Sequence, residues 1–467
     1  MSKERDKVPP IVSLVNLGCA KNTVDSERIL GMFICDGWLV AHNPADADIC
    51  LVNTCGFIGD AREETREVLT EMREMTKKSR LKVVVALGCM VERAANVPEE
   101  ACFLEGVNLR IGFSDYPRIV AICRERLFPK NPAMPAVAFP PFSSQPRAKS
   151  GFIHTAHLKI SEGCSNHCSF CTIPAIRGTQ VSRPIEEIVA EVNDMIATGT
   201  NEIEIIAQDT TSYGKDLYDR YALPELMEEL AKNYPNAWFR LMYTYPPRLT
   251  DDILDILAAG APFCPYIDLP LQHISDDILK SMGRKMRRAD IIELLDKIKV
   301  KIPHAVIRTT FITGYPGESK AHFNELLDFV KEGRFLHVGV FTYSHELKTA
   351  AYRMEDNIPP EEKERRKNLL MEAQIPISSG ILKKYHGKRI TITIDCVADN
   401  FEMTDGYEDD QINWRGHTNW QSPDVDGGVL LRHQNPDVEI VPGERIEVEV
   451  TGNLSYDLIA TTCISAN

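Results

Sequence analysis

The chain has 467 residues, 43% of them hydrophobic and 26% charged, with a formal net charge of −14. Its size predicts two to four domains, and its composition excludes wholesale disorder. No apolar run reaches the roughly 18 residues a membrane-spanning helix needs, and no apolar segment follows the charged N-terminus, so a cytoplasmic protein with no membrane partner is expected.

Residues 11–124 read as repeated strand–helix units. Ile11–Leu17, Ile49–Asn53 and Leu81–Leu87 are apolar runs with strand character. Helical spacing covers Thr23–Asp36 and a charged stretch from about Asp60 to Lys78. Strands alternating with helices imply a parallel sheet. Each strand closes on a cysteine, in Gly18-Cys19, Thr54-Cys55 and Gly88-Cys89. The carboxyl ends of strands in such a sheet lie side by side and bind ligands. Cys19, Cys55 and Cys89 are therefore expected to converge as a three-thiolate set; the alternative is three buried strand cysteines. Cys35, Cys50, Cys102, Cys123, Cys264, Cys396 and Cys463 lack this phasing and read as core or surface thiols.

Six prolines between residues 128 and 151 mark a linker or extended wrap. Six further strands are predicted at His157–Ser161, Glu202–Ala207, Trp238–Tyr243, Tyr266–Leu269, Val306–Ile312 and His337–Tyr343. A clear helix spans Pro184–Ala197, with Ser182 as its expected N-cap and Gly199 as its stop. This repetition suggests a partial β/α barrel with its chemistry at the C-terminal strand ends. A charged helical connector covers 355–385. Beyond it, Arg389–Val397, Gly427–Leu431 and Arg445–Thr451 read as strands of a small OB-type barrel. The predicted class is thus α/β: an N-terminal parallel α/β domain over 10–127, a partial barrel over 150–385 and a small β-barrel over 387–465.

The strongest local signal follows the first barrel strand: Cys164-Ser165-Asn166-His167-Cys168-Ser169-Phe170-Cys171, three cysteines spaced C-x3-C-x2-C. Three thiolates on a four-iron cluster leave one iron open for a small molecule. A structural zinc site would need a fourth ligand. His167 is badly placed beside Cys168, and no second C-x-x-C pair follows.

This loop resembles the signature of the radical S-adenosylmethionine superfamily. Thr310-Phe311-Ile312-Thr313-Gly314-Tyr315-Pro316-Gly317-Glu318 is similar to that superfamily's glycine-rich segment against the adenosyl group. The two cysteine triplets and the terminal β module together resemble the methylthiotransferases, over nearly the whole chain. Leu17-Gly18-Cys19-Ala20-Lys21-Asn22-Thr23-Val24-Asp25-Ser26-Glu27, Asn53-Thr54-Cys55-Gly56-Phe57-Ile58 and Asp268-Leu269-Pro270-Leu271-Gln272-His273 are similar to the branch that acts on ribosomal protein. The transfer RNA branch usually carries Gln-Met-Asn where this chain has Ala20-Lys21-Asn22.

The resemblance implies two 4Fe-4S clusters, on Cys164, Cys168 and Cys171 and on Cys19, Cys55 and Cys89. It also implies S-adenosyl-L-methionine as cofactor and an electron donor such as flavodoxin or ferredoxin. The substrate it implies is ribosomal protein S12, methylthiolated at the β-carbon of an aspartate. Asp209 and Glu318 are the candidate catalytic residues. Gln208, Arg308, Gly314 and Gly317 are candidates for cofactor contacts; for the polar ones, the alternative is ordinary barrel-rim polarity.

Charge agrees with this branch. From Thr391 onward, fifteen Asp and Glu stand against Arg415, Arg432 and Arg445, a formal −12. Such a module repels transfer RNA and attracts a basic protein. Its densest acidic patch is Glu402, Asp405, Glu408, Asp409 and Asp410.

Overall fold

The computed structural model describes residues 9–129, 144–398, 409, 411–423, 425–433 and 439–463. Five strands form the N-terminal sheet: Ile11–Asn16 (β1), Leu39–Val40 (β2), Ile49–Thr54 (β3), Val83–Gly88 (β4) and Leu109–Ile111 (β5). Their order is β2-β1-β3-β4-β5, every pair parallel. β3 and β4 are buried end to end, as central strands of a covered parallel sheet must be. β2 and β5, of two and three residues, escape sequence reading because runs that short carry no periodicity.

The central sheet holds Thr155–Lys159 (β6), Glu202–Ile206 (β7), Trp238–Leu241 (β8), Phe263–Asp268 (β9), Val306–Thr313 (β10) and His337–Thr342 (β11). The six lie in sequential order, all parallel, with β6 and β11 at the edges. Helices such as Ile185–Ala197 cover its outer face, with Ile188, Val192 and Met195 in the core. The expected cap is corrected here. Pro184 occupies the N-cap, whereas Ser182 lies in a two-residue strand and donates to Asp216 at 2.6 Å.

The helix Pro360–Leu382 leads into a closed five-stranded barrel of Arg389–Val397 (β12), Trp414–Thr418 (β13), Val429–Arg432 (β14), Arg445–Asn453 (β15) and Leu458–Thr462 (β16). Neither β13 nor β16 was expected from sequence; in β13 the reason is its composition. Its polar run, Trp-Arg-Gly-His-Thr, is buried at its second half by contact with the central barrel, so burial there does not follow hydrophobicity.

Charged contacts hold the three parts together. Arg93 and Arg62 both reach Glu346 at 2.6 Å, joining the N-terminal domain to the segment after β11. Arg28 and Arg147 meet Glu191 at 2.8 and 3.0 Å. On the other side, Asp426 accepts from Tyr266 at 2.7 Å and faces Arg308 at 3.5 Å, and His417 bridges Glu202 and Asp395, each at 2.8 Å. Part of the C-terminal module's acidity is therefore used internally. Asp409 is also engaged, with Arg432 at 2.6 Å. Glu402, Asp405, Glu408 and Asp410 of the expected docking patch lie outside the described residues, as does most of the proline-rich stretch.

Candidate functional site

The loop carrying Cys164, Cys168 and Cys171 is pinched at its base by a short antiparallel pair, Ser161–Glu162 with Val181–Ser182. Gly163 sits there at φ +74°, where a Cβ would lie 2.2 Å from the carbonyl oxygen of Thr179, so only glycine fits. The Cys164 amide donates to Gly178 O at 3.1 Å and the Cys171 amide to Cys168 O at 3.2 Å, curling the loop inward. Arg284 approaches Cys168 Sγ at 3.7 Å.

The second triplet stands on the N-terminal sheet. Cys19 caps the helix Ala20–Cys35, Cys55 follows β3, and Cys89 opens the helix Cys89–Asn96. Carboxamides lock these ends: Asn22 donates to Asn53 Oδ1 and Thr54 O, both at 3.2 Å, and Asn53 donates to Ser26 at 2.9 Å. Arg177 extends from the barrel, reaching Cys89 Sγ at 3.4 Å, Asp25 at 3.2 Å and Glu162 at 2.8 Å. It is thus a bridge between the two cysteine-bearing domains.

All six cysteines line one cavity of about 360 Å³ at the mouth of the barrel. Cys19 is accessible through it while densely surrounded by protein. Burial pushes the free thiols of Cys55 and Cys171 up, to about 11 and about 12. At Cys19 burial acts the same way, but Lys21 and Arg177 outweigh it and hold the thiol below its ordinary value. Burial pulls Lys21 down to about 8, against the opposing pull of Cys19 and Asp268. Tyr243 and Gln272, both on the wall, adopt left-handed backbone at φ +56° and +73°, strain of the kind found at functional sites.

Of the other expected site residues, Gln208 and Asp209 line the cavity. Gln208 donates to Glu162 at 2.7 Å, and its Oε1 is buried without a partner among the described residues. Asp209 accepts from Asn166 at 2.7 Å and from Thr211 at 2.6 Å, and pairs with Arg248. Glu318 stands apart. Its carboxylate takes Arg366 at 2.8 Å and the Gly314 amide, and its side chain is fully buried and off the cavity wall, where it braces the 314–318 turn. Gly314 and Gly317, at φ +74° and +85°, shape that turn and do not line the cavity. Arg308 pairs with Asp268 at 3.1 Å and with Asp426, also off the cavity wall. Sequence reading passed over Lys21, Arg177, Tyr243 and Arg284 as site residues. Lys21 lay inside a quoted motif, while the others had no local signature.

The donors fit iron–sulfur groups. Each triplet offers three thiols, and neither has a fourth Cys or a His among the residues on the cavity wall.

Residues 158–330 match the Radical SAM superfamily, residues 12–103 the Uncharacterized protein family UPF0004, and residues 387–463 the TRAM domain. A radical S-adenosylmethionine methyltransferase, TsrM, from Kitasatospora setae has a similar fold, at a TM-score of 0.52 over 84% of this chain and 79% of that one with 15% identity. Fold and site define a radical S-adenosylmethionine enzyme. Ribosomal protein uS12 methylthiotransferase RimO of Clostridium acetobutylicum is 37% identical over 96% of both chains. RimO of Geobacter sulfurreducens is 37% identical over 98% of this chain and 99% of its own. The chain belongs to the RimO family of methylthiotransferases, and its cofactors are iron–sulfur clusters and S-adenosylmethionine.

Proposed function

We propose that this enzyme attaches a methylthio group to the β-carbon of an aspartate in ribosomal protein S12. The observation that carries the reading is the opening of two three-cysteine sets, from two domains, onto one cavity. Cys164, Cys168 and Cys171 hold one 4Fe-4S cluster, and Cys19, Cys55 and Cys89 the other. When bound, the clusters and S-adenosylmethionine supply the electron transfer, the radical and the sulfur.

The chain's own residues position and exclude. Arg177 ties the second triplet to the barrel through Cys89, Asp25 and Glu162, fixing the separation of the two sets. Arg284 offers positive charge to the first set at Cys168. Asp209, anchored by Arg248 and Asn166, and Gln208, with its open carbonyl oxygen, present acceptors to the polar ends of S-adenosylmethionine. Phe57, Phe170 and Tyr245 wall the cavity and keep water from the reacting atoms. Glu318 acts through the turn it holds and not on substrate.

Ribosomal proteins are basic, and the −12 of the C-terminal module suits such a partner and disfavours transfer RNA. The working units are 10–127, 150–385 and 387–465, in a cytoplasmic enzyme served by a flavodoxin or ferredoxin. Among the described residues no helix is long and apolar enough to cross a membrane.

The test is anaerobic reconstitution with iron and sulfide, then reaction with S-adenosylmethionine, reductant and S12. A methylthio increment on one S12 aspartate, with deoxyadenosine formed, is expected. Deoxyadenosine with modified transfer RNA and unmodified S12 would overturn the substrate assignment.

A further inference from the structure

Three cations line the cavity; one is ion-paired and a second is hydrogen-bonded. Arg177 has Asp25 and Glu162. Arg284 donates to Pro270 O at 2.6 Å, reaches Cys168 Sγ, and lies 4.5 Å over the Tyr245 ring. Lys21 is different. It is only 5% exposed, yet among the described residues no carboxylate lies within ion-pair distance of its ammonium and it donates no hydrogen bond, to thiol or oxygen. Its sole contact of this kind is the face of Tyr243, 2.8 Å from the ring centroid.

The carboxylates nearest in charge are already occupied. Asp268 is taken by Arg308 and by the Tyr243 amide at 2.9 Å, and Glu162 by Lys159 at 2.7 Å and Arg177. A buried ammonium is costly unless paired. One left open on a cavity wall is matched by an anion that arrives with the ligand. The ring beneath it is braced: the amide of Tyr243, a residue with left-handed backbone, donates to Asp268, and Arg308 pairs with Asp268. Arg308 thus serves as a positioning residue two contacts away from the cavity.

We propose that Lys21 receives the side-chain carboxylate of the substrate aspartate, orients its β-carbon between the two cysteine triplets, and selects aspartate over asparagine. This rests on the reaction proposed above. Arg177 and Arg284, and not Lys21, are the groups within hydrogen-bond reach of the thiols, so the Lys21 ammonium, two residues from Cys19, is not tied to a sulfur.

The experiment uses reconstituted holoenzyme, as wild type, Lys21→Met and Lys21→Arg. The probes are an S12 peptide spanning the target aspartate and the same peptide with asparagine there. Equilibrium binding of each peptide, S-adenosylmethionine binding, iron content, KM and kcat are measured. Wild type is expected to prefer the aspartate peptide. Lys21→Met should weaken that peptide roughly ten- to hundredfold, the loss of one charged hydrogen bond, with the change mainly in KM. Its iron content and asparagine-peptide affinity should stay at wild-type values, and Lys21→Arg should recover part of the preference. The inference is overturned if the aspartate preference survives Lys21→Met, or if what falls is iron content or S-adenosylmethionine affinity while peptide discrimination stays. Lys21-dependent binding of the aspartate peptide with no methylthiolation by wild type would sustain the inference and refute the reaction. Methylthiolation with no Lys21 dependence would do the reverse.

Discussion

His417 offers a quantitative handle on how the C-terminal module is joined to the barrel. It lies on β13, 1% exposed, with Nε2 2.8 Å from Glu202 and Nδ1 2.8 Å from Asp395. Asp395 also meets His154 at 3.1 Å, and Glu202 meets Arg240. Burial alone pushes the imidazole below its ordinary 6.5, but Glu202 and Asp395 more than reverse this and lift it to about 9. A group whose pKa is raised on folding contributes its full stabilisation below the unfolded value, and loses it as pH rises through the folded one. Since each tenfold is worth about 1.4 kcal/mol, that contribution is about 3 kcal/mol at pH 6 or below, about 2 at pH 7.5 and under about 0.5 at pH 9.

The perturbation is His417→Ala, with both proteins in the same state of cluster loading. Denaturant unfolding would be followed at pH 6, 7.5 and 9 through Trp420, which stacks on Tyr385 with ring centroids 4.9 Å apart. Comparing variant with wild type cancels the titrating groups that share no partner with His417. The variant should be the less stable, and the gap should shrink by about 2–3 kcal/mol between pH 6 and pH 9. A gap of constant size across that range would show that the imidazolium is not the bridging species. The site should feel this contact too: Asp426 comes from the same module and holds Arg308, which holds Asp268 and through it Tyr243.

Two further substitutions probe the cysteine loop and the turn beyond β10. Gly163→Ala forces a Cβ against the Thr179 carbonyl at a left-handed position, so the purified protein should lose about half its iron, while the N-terminal triplet stays loaded. Full iron content in that variant would mean the loop does not need its pinch. Glu318→Gln weakens the ties to Arg366 and the Gly314 amide, and should lower stability by about 1–3 kcal/mol with kcat kept within a few-fold. A folded Glu318→Gln enzyme with kcat abolished would return that carboxylate to the catalytic group.

Much of the architecture was legible because the central strands are long apolar runs between amphipathic helices. β3 and β4 are buried on both faces, and all six barrel strands fell within a few residues of their predicted places. Of the strands that escaped, β2 and β5 are two or three residues long, β13 is polar and buried against another domain, and β16 is a five-residue run, Leu-Ile-Ala-Thr-Thr, without clear alternation. Arg308 and Glu318 do not line the cavity, for a related reason. A polar residue near the end of a barrel strand can turn to the cavity or to a neighbouring element, and both found partners there: Asp268 and Asp426 for one, Arg366 for the other.

The sequence by itself determined the chemistry. Cysteine spacing within one loop is local, and the recurrence of Cys19, Cys55 and Cys89 at successive strand ends follows from the regular length of strand–helix units. Tertiary structure alone decided what stands between the two triplets. Arg177 reaches Cys89 across 88 positions of chain, and Lys21 meets Tyr243 from another domain. Neither contact leaves a local pattern, because an ion pair or a ring contact between domains depends only on how folded surfaces meet, and short-range periodicity records only which side of each element is buried.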